Sequence, residues 1–167
     1  MTRISATRLI IATPLIAALA ACGGAAGDAA DGAATPEGDA PAEIELRQDN
    51  FEAIGDAFKA IRGELESGNP DFLVLQASAT DIHDRAGRLD GYFPEGSGRD
   101  AGWDTEALPT IWEKPEEFKA AQMKFLEESA TMMEVAAGGD AAAVGEQVKA
   151  LGASCKNCHD TFRLDDD

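Results

Sequence analysis

The last helical segment constrains this chain most. Ala141, Val144, Val148, Leu151, Cys155, Cys158 and Phe162 recur at steps of three and four, the spacing of one face of an α-helix. Cys155 and Cys158 belong to the run Cys155-Lys156-Asn157-Cys158-His159. A fold for this chain must therefore turn both sulfurs toward an interior.

A Cys-x-x-Cys-His run is the attachment signature of c-type haem. Two sulfurs one helical turn apart can bond the two vinyl groups of a porphyrin, and the next residue, His159, presents its imidazole to the iron. A lone Cys-x-x-Cys in an oxidising compartment also fits a redox disulfide or half of a zinc site. Zinc would need two further ligands, and His83 is the only other histidine. A thioredoxin-like site would need a preceding strand, and none is readable. Aromatic residues make up only 6 % of the chain, so one covalent haem c would supply apolar bulk that the side chains lack.

Three more segments carry the same period. Ile44, Arg47, Phe51, Ile54, Phe58, Ile61 and Leu65 predict a first helix from about Glu43 to Ser67, ended by Gly68-Asn69-Pro70. Phe72, Leu75, Ala79, Ile82, Ala86 and Leu89 predict a second, from about Asp71 to Leu89. A third begins at Pro115, which suits a first turn, and runs to Ala137 on Phe118, Ala121, Phe125, Met132 and Val135. Gly138-Gly139 ends it, and Asp140 can cap the fourth. Residues 90–114 form a long crossover in which glycines and prolines break any period. Two uses fit its tryptophans: Trp112 packing against a haem edge, and simple anchoring of the loop, which suits Trp103. The fold expected is all-α, an antiparallel four-helix bundle with haem attached near the C-terminal end.

The N-terminal part is of another kind. Arg3 and Arg8, the apolar run from Leu9 to Ala18 and the close Leu19-Ala20-Ala21-Cys22 make residues 1–21 an export signal. Leu-Ala-Ala-Cys resembles the lipobox of bacterial lipoproteins, in which Cys22 would be lipidated; ordinary signal cleavage is the other reading. Residues 22–42 lack large apolar side chains and read as a disordered acidic tether. The folded domain is expected over 43–167, on the periplasmic side, held to a membrane through lipid on Cys22. A formal charge of −17 argues against a nucleic-acid partner.

Three stretches together resemble class II cytochromes c, in particular the cytochrome c′ family. They are Arg47-Gln48-Asp49-Asn50-Phe51, Pro109-Thr110-Ile111-Trp112 followed by Phe118, and Gly152 to Asp160 with Phe162 and Arg163. The resemblance covers roughly residues 43–164. It implies His159 as the proximal iron ligand, Arg47 and Phe51 on the distal side, and Arg163 on the proximal side. Low-spin relatives place a ligating methionine on the first helix; this chain has none between Glu43 and Ser67. The expectation is five-coordinate, high-spin iron that binds nitric oxide or carbon monoxide, with nitric oxide sequestration as a role and with homodimers formed through the first two helices. The alternative is a membrane-tethered electron carrier whose acidic surface steers a basic redox partner. Arg163, four residues after His159, either tunes the iron and balances a haem propionate or favours the helix dipole. No acid–base pair, nucleophile array or phosphate loop is visible, so no enzyme activity is expected.

Overall fold

A computed structural model describes residues 38–165. The expected signal, Cys22 and residues 23–37 of the tether lie outside the described residues. Five helices follow: α1 (Ala42–Glu66), α2 (Phe72–Ala86), α3 (Thr110–Glu113), α4 (Pro115–Gly138) and α5 (Ala141–Phe162). The four long ones form an antiparallel four-helix bundle, and the described residues hold no named β-strand.

The helix ends follow from local chemistry. Gly68, at φ +76°, takes the chain out of α1 in a conformation that costs a side chain strain. Asp71 caps α2, accepting from Leu73 N–H at 2.8 Å. Gly139, also left-handed, closes α4, and Asp140 caps α5 by accepting from Ala142 N–H at 2.9 Å. Helix α2 stops at Ala86, earlier than the stripe suggests, and Leu89 stays buried in a short 3₁₀ turn (Leu89–Gly91).

The short α3 was not expected. Pro109, at φ −54°, starts a turn, and Pro115 ends it, because its ring pushes Lys114 out of the helical region to φ −127°, ψ 56°. Two prolines thus break one helix into a step and a rod. That step lets the crossover change direction before α4.

The core runs along the inner faces of α1, α2, α4 and α5. Ile61, Leu75, Ala79, Ile82, Met132, Ala136, Val144 and Leu151 are fully buried. Ser129 is buried too, and His83 Nδ1 lies 3.0 Å from its Oγ. That hydroxyl already donates to Leu126 O at 2.8 Å, so the imidazole is the donor of the pair. Helix α4 packs along both α2 and α5, and α1 along α2, whereas α1 and α5 scarcely touch. The bundle is open on that one seam.

Candidate functional site

The open seam between α1 and α5 is a cavity of about 770 Å³, within the ~300–1,000 Å³ of sites for small molecules and cofactors. Cys155, Cys158 and His159, all half-buried, line its α5 wall, with Leu151, Gly152 and Phe162. Phe51, Ile54, Gly55 and Phe58 line the α1 wall. Helical period explains the α5 side: the two cysteines continue the stripe that buries Val144 and Leu151. Protein interiors pack without voids much larger than a water. An apolar gap of this size, with two thiols and an imidazole on one wall, fits a porphyrin bonded through both sulfurs.

Electrostatics agree with that chemistry. Burial pushes the Cys158 thiol up to about 11, with Cys155 adding to the shift, and burial also raises Cys155. Both thiols are therefore protonated near neutral pH. Burial, and secondly the charge of Arg163, lower His159 below its ordinary value, so it stands neutral, the form that ligates a metal.

Four phenylalanines form a connected array around the cavity. Phe118 meets Phe93 edge-on at 4.8 Å and Phe162 at 5.1 Å, and Phe51 lies 6.5 Å from Phe93. Phe51 also faces the His159 ring, at 6.4 Å and 76°. It is 36 % exposed, unlike its stripe neighbours Ile44 and Ile54, because it faces the cavity and not another helix. Among the described residues no methionine lines the cavity, and His159 is the only histidine that does. Met132 is buried and Met133 packs on the core, as helix packing requires, whereas Met123 is exposed.

The two arginines are held differently from what spacing alone suggests. Arg47 is 3 % exposed. Its guanidinium donates to Ser97 O at 2.5 Å, Thr105 Oγ1 at 2.7 Å, Ser97 Oγ at 2.8 Å and Tyr92 O at 3.3 Å, and it lies over the Phe93 ring at 5.2 Å. It lines the cavity while clamping the crossover to α1. No carboxylate among the described residues forms an ion pair with it.

Arg163 is not on the helical face of His159, because α5 ends at Phe162 and Arg163 is extended, at φ −119°, ψ 142°. Its N–H still donates to His159 O at 3.0 Å. An antiparallel bridge to Ala107 and an ion pair from its Nε to Glu106 Oε2 hold it at the cavity wall.

Trp112 departs from the expected place at a haem edge. It does not line the cavity; its Nε1–H donates to Phe93 O at 3.2 Å and its ring lies over Gly98. Trp103 anchors the loop as expected, donating to Gly96 O at 2.9 Å. Sequence reasoning missed Ser97, Thr105 and Glu106, whose partners are 50 to 58 residues distant.

Comparison with known proteins agrees with this geometry. The family model described as Cytochrome C' matches residues 42–163. Cytochrome c' of Pararhodospirillum photometricum is 35 % identical over 130 residues, 78 % of this chain and 99 % of that protein. Cytochrome c-556 of Agrobacterium tumefaciens is 34 % identical over 123 residues, 73 % of this chain and 97 % of that protein. A solved cytochrome c' described as having ligand-controlled dimer dissociation superposes with a TM-score of 0.68 at 29 % identity, covering 74 % of this chain and 95 % of that one.

Proposed function

Taking as premise that this chain belongs to the cytochrome c′ family and carries one covalently attached haem c, we propose that it is a gas-binding haem protein with five-coordinate, predominantly high-spin iron. In this reading Cys155 and Cys158 form the two thioethers, His159 is the proximal ligand, and Phe51 covers the opposite side. One observation carries it: the side chain across the cavity from His159 is a phenyl ring, and among the described residues no thioether or second imidazole lines the space. The haem, when bound, supplies an iron with one coordination position open to a diatomic such as nitric oxide or carbon monoxide.

The chain's own residues set the terms of access. Phe51 has no donor atom, so it cannot ligate, and its bulk excludes water and larger molecules from the distal side. The cation of Arg47, buried among neutral oxygens, suits an anionic edge of the cofactor such as a propionate. Arg163 brings a second positive charge beside His159. Nitric oxide sequestration is the role that this arrangement supports, without catalysis. The reading extends to a periplasmic protein tethered through lipid on Cys22. No helix among the described residues is long and apolar enough to cross a membrane. Homodimers are part of the same reading, given that the solved relative above is described by its dimer dissociation.

The net charge of −17 favours one competing role, electron transfer to a basic partner. The absorption spectrum of the purified ferrous protein, before and after nitric oxide, separates them. A broad high-spin spectrum that changes on adding the gas is expected. Sharp, split low-spin bands indifferent to nitric oxide would refute gas binding and leave the electron carrier.

A further inference from the structure

Beyond α5 the chain is stitched to the crossover. Leu108 N–H donates to Phe162 O at 3.0 Å and Leu164 N–H to Glu106 O at 2.8 Å. Thr110 Oγ1 donates to Thr161 O at 2.7 Å. These bonds fix the backbone at Arg163, and at position 106 they use only the main-chain carbonyl. The Glu106 carboxylate takes no part in these main-chain bonds; it pairs with the Arg163 guanidinium at the wall of the cavity. Both side chains are a little under half exposed, at 43 % and 44 %, so their charges are only partly screened by solvent. On His159 the two act in opposite senses.

We infer that Glu106 tunes the redox poise of the haem, as a counter-charge to an Arg163 guanidinium held on the His159 side. The inference rests on haem attached and ligated as proposed above, but not on which ligand, if any, enters the distal side. Reduction lowers the charge of the iron by one. A cation nearby therefore favours the ferrous form, and a carboxylate paired with that cation offsets the preference. Glu106 acts here as a positioning residue, through Arg163.

Redox potentiometry of the haem-loaded protein at low salt tests this. Glu106→Gln keeps the shape and the acceptor oxygen but removes the charge. It is expected to favour the ferrous form at least threefold, about 28 mV at 59 mV per tenfold change for one electron. Arg163→Gln should shift the equilibrium the other way, and the double variant should lie within twofold of wild type. Glu146→Gln removes an exposed carboxylate on α5, the helix of His159, some 20 Å along its axis from that residue, and should change the equilibrium less than 1.5-fold. The inference is overturned if Glu106→Gln leaves the potential unchanged or lowers it. It is also overturned if Glu146→Gln shifts the potential equally, or if Glu106→Gln alters thermal stability alone. A low-spin wild-type spectrum would remove the gas-binding reading and leave these shifts still measurable.

Discussion

Arg47 offers the most direct way to test how the crossover is held over the site. In Arg47→Leu an apolar side chain replaces the stem and the guanidinium is lost. Ser97 Oγ keeps its bond to Pro94 O at 2.8 Å, and Thr105 Oγ1 still accepts from Ala107 N–H at 3.3 Å. Ser97 O has no such second bond and would be stranded in a buried residue. A stranded buried acceptor costs about 1–3 kcal/mol, and each other bond lost from the charged guanidinium costs about 1 kcal/mol net or more. With the bonds to Ser97 Oγ, Thr105 Oγ1 and Tyr92 O also lost, the expected destabilisation is about 4–6 kcal/mol on this scale, a large part of the roughly 5–15 kcal/mol that holds a domain together. Urea unfolding of the haem-loaded protein, followed by far-ultraviolet circular dichroism, measures it. Arg47→Lys should recover only part of the loss, since an ammonium cannot reproduce the planar fork. Hydrogen exchange should quicken first at residues 92–105, ahead of α4 and α5. A loss below about 1 kcal/mol for the leucine variant, with an unchanged urea slope, would refute the clamp.

Three further perturbations address the site and its supports. Phe51→Met places a thioether across from His159; the ferrous spectrum should move toward low-spin bands, with weaker nitric oxide binding, and an unchanged spectrum would mean that α1 does not face the iron. Gly98→Ala puts a methyl group 2.5 Å from Trp112 Cζ3 and from Asp100 Oδ1, an overpacking that should cost about 1–3 kcal/mol and alter tryptophan fluorescence, read by thermal unfolding and emission. Hydrogen bonds from Lys124, and secondly Gln147, lower the Glu128 carboxyl below its ordinary value. Its contribution is therefore present above about pH 4.3, the unfolded value, and fades as pH falls through the depressed folded value. Glu128→Gln should be less stable than wild type at pH 7 by about 1 kcal/mol or less, and the two should converge in acid.

What could be read from the sequence was whatever repeats locally. The stripe of α5 predicted the burial of Val144 and Leu151 and the inward placing of Cys155 and Cys158, because period and burial coincide on a regular helix. On α1 the same stripe named Phe51 but not its exposure, since the period cannot tell a helix seam from a cavity wall. On α4 it chose Val135, while Ser129 and Ala136 hold the buried seam, small residues that let helices approach closely. Asn50 is buried on α1 and bonds Arg85 O at 3.3 Å, a partner that no local pattern reveals. Arg47 and Arg163 were named from the family resemblance. What holds them lies in the crossover, 45 or more residues away in sequence, where pairing is decided by tertiary contact.

The bridge between Ala107 and Arg163 bears on the order in which the protein matures. It joins segments 56 residues apart, and one of them follows the last helix, so it cannot form until α5 has been made and docked. Helices α1, α2 and α4, by contrast, pack through seams that need no contact from α5. Closing such a distant contact is slow compared with pairing neighbouring helices. In the docked helix Cys155 and Cys158 are half-buried, and burial makes their thiols harder to ionise. Thioether formation is therefore expected to run faster on an α5 not yet docked, before the strap closes.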